Sequence, residues 1–149
     1  MVLHWDKLVK FNYAAGQDVL YVETLDQREI YAPDIQSINT AISNCAAEHK
    51  IQHLLIDLSK NTLLLTETEF KAAMAQLAIG LLPSALKKVA RIKSKNPERE
   101  RMMERVLLEI QEVIKLPLEF RNFADRTEAL CWLLNIPYET TPADAEPQL

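Results

Sequence analysis

The residue pattern predicts an α/β fold: a mixed, mostly parallel sheet of about five strands packed against about four helices. Three observations carry this expectation. Short apolar runs alternate with longer stretches whose apolar residues recur at three- and four-residue steps, in the order β-β-α-β-α-β-α-β-α. Helix starts are marked by capping residues and prolines. The chain has 149 residues, 48% hydrophobic and 26% charged, enough for one domain whose core needs neither disulfides nor a metal.

The first strand spans Lys7 to Tyr13, where Val9, Phe11 and Tyr13 alternate with Lys10 and Asn12. A short loop containing Gly16 leads into a second strand, Val19 to Leu25, and the pair reads as an antiparallel hairpin. Pro33 fixes the backbone angle of a first helical turn, and Asp34 suits that turn's partial positive charge. Ile35, Ile38, Ile42 and Cys45 then form a buried stripe on a helix over Pro33–Lys50. Its opposite face, which includes Gln36, Asn39, Thr40 and Asn44, is polar yet almost uncharged.

Ile51 to Ser59 holds Leu54-Leu55-Ile56, a near-continuous apolar run that suits a central strand covered on both faces. A helix between strands implies a right-handed crossover and parallel pairing. Thr66 with Glu69 forms a capping-box pattern, opening a helix that Pro83 stops. Leu86 to Lys93 is the next strand, and Asn96-Pro97 starts the third helix, whose stripe runs from Met103 to Ile114. Leu116 to Phe123 closes the sheet, and Asp125 with Glu128 caps the last helix. One domain over residues 1–137 is expected, followed by a proline- and acid-rich disordered tail over 138–149.

Composition excludes several function classes. Gly16 and Gly80 are the two glycines, so no glycine-rich phosphate loop exists. His4, His49 and His53 have no companions at metal-ligand spacing, and no cofactor is expected. Cys45 and Cys131 lie on apolar helix faces, fitting inert thiols in a reducing, cytoplasmic compartment. A net charge of −4 argues against nucleic acid as partner, and no apolar run is long enough for stable membrane insertion.

Two stretches carry a family resemblance. Leu54-Leu55-Ile56-Asp57-Leu58-Ser59, followed about seven residues later by a capped helix, resembles the STAS domain of bacterial anti-sigma-factor antagonists. Phe120-Arg121-Asn122-Phe123-Ala124-Asp125 and Glu128-Ala129-Leu130-Cys131-Trp132-Leu133 are similar to the closing strand and helix of the SpoIIAA-like (STAS/SEC14-related) branch. The resemblance covers residues 18–134 in element order. It implies a regulatory module whose partner binding is switched by phosphorylation at the helix start after the Asp-containing strand. The family's Asp-Ser-Ser-Gly motif falls on Leu65-Thr66-Glu67-Thr68, so both serines, the aspartate and the glycine are replaced. Thr66 and Thr68 keep hydroxyls there, and Glu67 brings a fixed charge.

Two candidate sites follow. The partner-binding or phosphorylation corner comprises Asp57, Thr66, Glu67, Thr68 and Phe70, near the C-terminal sheet edge where open α/β sheets bind ligands. Helix capping by Thr66 and loop ordering by Asp57 are the purely structural alternatives. The anion-binding corner comprises Lys93, Lys95 and Arg99, at the start of the third helix. Residues 87–105 hold eight Lys and Arg against three Glu, a local charge of +5 that leaves −9 on the rest. A solvated face stitched by intrahelical pairs is the alternative for that run.

The sequence thus leads to a non-enzymatic, STAS-like regulatory or protein-interaction module. Its partner is another protein, docked at the Asp57–Phe70 corner, with the uncharged face of the Pro33–Lys50 helix as a second contact surface. The alternative is a binder of a small anionic or lipid-like ligand. A homodimer through the Lys7–Tyr13 strand is expected if that strand is the sheet edge.

Overall fold

The computed structural model describes residues 1–138. Three strands, β1 (Val2–Trp5), β2 (Val9–Ala14) and β3 (Val19–Thr24), open the chain. A two-residue β4 (Ile30–Tyr31) precedes α1 (Ala32–Glu48), then come β5 (His53–Asp57), a two-residue β6 (Leu63–Leu64) and α2 (Glu67–Leu81). β7 (Lys88–Ile92), α3 (Pro97–Val113), β8 (Glu119–Phe123) and α4 (Arg126–Leu134) complete it. The expected α/β class is observed, with four helices and a six-stranded sheet ordered β1-β2-β3-β5-β7-β8. The β1–β2 and β2–β3 pairs are antiparallel, and the β3–β5, β5–β7 and β7–β8 pairs are parallel.

Side-chain alternation along the strands separates two cores. Leu20, Val22, Leu54, Ile56 and Val89 pack with the stripes of α1, α2 and α3. Val19, Leu55, Ala90, Ile92 and Phe123 face Ala129, Leu130 and Leu133 of α4. Three helices therefore cover one face and one short helix the other, as three like-handed crossovers require.

The first strand differs from expectation. β2 is not the sheet edge, because Val2–Trp5 pairs along its free side and Lys7 falls in the intervening turn. Asp6 builds that turn, its Oδ1 accepting the amides of Leu8 and Val9 at 2.7 and 2.9 Å. The sheet's edges are thus β1 and β8, not the Lys7–Tyr13 strand. In the β2–β3 hairpin, Asp18 rather than Gly16 takes the left-handed conformation, at φ 55°. Aspartate tolerates that region, and here Tyr13 donates to its Oδ1 at 2.7 Å.

Two further departures shape the surface. Asn39, assigned from sequence to the polar face of its helix, is buried and donates from Nδ2 to the Ala73 carbonyl at 3.0 Å, tying α1 to α2. β4 and β6 pair in parallel as a separate ribbon, Ile30 with Leu63 and Tyr31 with Leu64. The tail expected over 138–149 lies, from residue 139, outside the described residues.

Candidate functional site

β5 and β7 are adjacent parallel strands, so their following loops leave the sheet at the same end. The β5–β6 loop runs Leu58–Thr62, and the β7–α3 loop runs Lys93–Asn96. Between them, above the start of α3, lies a cleft of about 280 Å³. Its floor is apolar, formed by Ile56, Leu58, Leu63 and Met103. Lys60, Lys95 and Arg99 supply the charge at its rim.

The loops are held by side chains that sequence reasoning did not single out. Asn61 is buried, and its Nδ2 donates to the carbonyls of Asp26 and Arg28 at 3.0 and 2.8 Å. Its Oδ1 accepts from the Thr24 hydroxyl at 2.6 Å. Across the cleft, Arg91 and Glu100 form a buried two-pronged pair, Nη1 to Oε1 at 2.8 Å and Nη2 to Oε2 at 2.9 Å. Glu100 Oε2 also accepts from the Ser94 amide at 3.0 Å and the Ser94 hydroxyl at 2.8 Å. Burial pushes the Glu100 carboxyl up. The Arg91 hydrogen bonds and charge, with the Ser94 donors, more than reverse this and hold it below the ordinary value.

The strongly basic run sorts into committed and uncommitted groups. Lys88 donates to the Trp132 carbonyl at 2.7 Å, Arg91 is held by Glu100, and Arg105 pairs with Glu67. Lys93, expected in the anion corner, pairs instead with Glu104 at 3.4 Å and does not line the cleft. Lys95 and Arg99 do line it, joined by Lys60, and among the described residues no carboxylate pairs with any of the three. Arg99 Nη1 is buried and has no hydrogen-bond partner among the described residues. An unmet guanidinium N–H out of contact with solvent is costly, roughly 1–3 kcal/mol. Asn96 Oδ1 caps α3 by accepting the Arg99 amide at 3.1 Å, which fixes where the Arg99 side chain begins.

The partner-binding corner is only partly assembled. Asp57 orders its own loop, its Oδ1 accepting from the Ser59 amide at 3.1 Å and the Ser59 hydroxyl at 2.5 Å. Its Oδ2 meets Arg126 Nη1 at 3.3 Å, and Arg126 also bonds Glu23 at 2.5 Å, which fastens α4 to the sheet. Thr66 caps α2 in a reciprocal box with Glu69, at 3.1 and 2.9 Å. Glu67 and Thr68 are exposed beside it. Phe70, by contrast, is 3% exposed and packs in the core, so it presents no surface to a partner. The polar face of α1 lines a broad, open groove of about 710 Å³ with His4 and Asp6 of the β1–β2 turn region.

Among the described residues, no cluster of three His, Cys, Asp or Glu side chains suits a metal ion, and no helix is long and apolar enough to cross a membrane. No protein-family model, no curated protein and no solved structure matches the chain.

Proposed function

We propose that this chain is a non-enzymatic, STAS-like regulatory module of the cytoplasm that senses a small anion at the C-terminal edge of its sheet. The observation that carries the reading is the convergence of Lys60, Lys95 and Arg99 on one cleft without a carboxylate among its lining residues. Cations brought from two loops and a helix start without counter-ions repel one another, and an anionic ligand relieves that repulsion. The cytoplasmic address is supported by two buried free thiols, Cys45 and Cys131. The test is a titration of the isotopically labelled protein with inorganic phosphate, followed by amide chemical shifts. Shifts concentrated in residues 58–63 and 93–99, and weakened at least tenfold in Lys95→Gln and Arg99→Gln, support the reading. Shifts scattered over the surface, or insensitive to both substitutions, sink it.

A protein partner remains the second reading, on a specific observation. Tyr31 and Leu64 are 50% and 37% exposed and lie side by side in the β4–β6 ribbon. That ribbon leads directly into the starts of α1 and α2, so it joins the uncharged α1 face to the Thr66-Glu67-Thr68 corner. A docked partner covers exposed apolar side chains such as these. Cross-linking of the chain in its own cells, comparing Tyr31→Ser with Leu64→Ser, tests it. Unchanged cross-links with an intact fold exclude the ribbon as the contact.

A further inference from the structure

Resting on the anion-sensing reading above, we infer that the ligand of the β5–β7 cleft is a phosphomonoester carried on a small apolar body. Charge argues for the phosphomonoester. Lys60, Lys95 and Arg99 line the cleft, and the carboxylate beneath it, Glu100, is already held by Arg91. A single carboxylate leaves most of that positive charge unbalanced, whereas a phosphomonoester carries close to two negative charges at neutral pH and three acceptor oxygens. Arg99, which lines the cleft and has no carboxylate partner among the described residues, brings the guanidinium that such oxygens meet.

The body follows from what the rest of the lining offers. A hydroxyl-rich body needs several free hydrogen-bonding side chains, and apart from the Thr62 hydroxyl and the Asn96 NH2 the uncharged ones here are engaged within the protein. Asn61 holds Thr24, Asp26 and Arg28, Ser59 donates to Asp57, and Ser94 donates to Glu100. A polyol placed there leaves polar groups dehydrated without replacement bonds. The apolar surface of Leu58, with the edges of Ile56 and Leu63, instead gains by covering methylene groups. Size and shape disfavour a nucleotide. The cleft of about 280 Å³ is below the usual range for larger ligands, roughly 300–1,000 Å³, and no aromatic side chain among its lining residues offers a face to a base.

The experiment is calorimetric titration of the full chain at fixed ionic strength with n-butyl phosphate, inorganic phosphate, ribose 5-phosphate and adenosine monophosphate. The expected result is n-butyl phosphate binding about tenfold or more tighter than inorganic phosphate, since each buried methylene adds roughly a factor of four. Ribose 5-phosphate and the nucleotide then bind no tighter than inorganic phosphate. Leu58→Asn abolishes the butyl preference while retaining inorganic phosphate binding, which also certifies its fold. Arg99→Gln weakens every ligand.

Equal affinities across the panel, or a tighter nucleotide or sugar phosphate, overturn the apolar body while leaving the anion site standing. No binding by any of the four overturns both. Co-sedimentation with vesicles of phosphatidylcholine, with and without phosphatidic acid, separates the sources. Capture that depends on phosphatidic acid and Arg99 supports a ligand held in a membrane. Its absence alongside n-butyl phosphate binding supports a free ligand.

Discussion

Replacing Glu100 by Gln tests the pair that underlies the cleft. Arg91 and Glu100 are 12% and 8% exposed, so neither charge is well hydrated without the other. Glu100 Oε2 accepts three bonds, from Arg91 Nη2 and both Ser94 donors, whereas Oε1 accepts one, from Arg91 Nη1. A glutamine therefore places its NH2 at the Oε1 position, facing a single guanidinium N–H, and keeps its oxygen at the other. That orientation loses one hydrogen bond and the whole counter-charge. Breaking a buried pair in this way costs about 3–5 kcal/mol, and the retained bonds favour the lower end, about 3.

With roughly 2 cal/mol/K of unfolding entropy per residue over 149 residues, a loss of about 3 kcal/mol lowers Tm by about 10 °C. Glu98→Gln, at an exposed glutamate in the same turn, is the control and moves Tm little. The effect also has a defined pH dependence. The folded Glu100 carboxyl lies below its ordinary value of 4.5, so its contribution is present above that pH and fades as pH falls through the folded value. The Tm gap between wild type and Glu100→Gln accordingly narrows on acidification below about 4.5. The combined Arg91→Met and Glu100→Leu substitution, which removes both charges, recovers part of the loss, since Ser94 and Asn122 still lose their partners. Thermal denaturation followed by circular dichroism reads all of these, and a Tm change in Glu100→Gln no larger than in Glu98→Gln refutes the reasoning.

The remaining predictions concern packing and capping. Phe70→Ala removes a core ring and lowers stability by about 3–5 kcal/mol in urea denaturation, whereas an unchanged midpoint shows that Phe70 is not in the core. Gly80→Ala places a methyl 2.2 Å from Ser43 Oγ and 2.9 Å from its Cβ, so α1 and α2 must separate. Its Tm falls despite a helix-propensity gain of about 1 kcal/mol, and Ser43→Gly in the same chain restores it; a rise in the single variant contradicts the close approach. Thr66→Ala loses the α2 cap and about 1 kcal/mol, while Thr66→Ser stays near wild type, as measured by the same denaturation.

What was legible in the sequence is what repeats locally. The stripe from Met103 to Ile110 lies in the core as its spacing indicates, and the Thr66–Glu69 and Asn96 caps sit where their residue types belong. β1 has four residues and a register irregularity between Val2 and His4, so its apolar pattern has no clean period of two. β4 and β6, at two residues each, have no period at all. Glu100 looks from sequence like one more charge on a solvated helix. Nothing local reveals that Arg91, nine positions earlier on a strand, reaches back to it.

The cleft depends on the same kind of nonlocal information. Lys60 is a lone lysine in one loop, Lys95 belongs to another, and Arg99 lies in the first turn of α3. What unites them is the register of β5 on β7, with Ile56 opposite Arg91, which brings both strand ends to one level. The strand order β3-β5-β7-β8 advances in one direction, and α1, α2 and α3 pack into the core on a single face. No reversal of strand order therefore splays neighbouring loops apart to form the usual ligand crevice of open α/β sheets. A site at this edge must instead be built in the narrow space between one loop and the start of the next helix. That space favours a small ligand, and the charge it gathers is set by whichever side chains the loops carry rather than by the fold. The fold places a cleft beside α3, and Lys60, Lys95 and Arg99 give it the unpaired positive charge on which the proposed anion site rests.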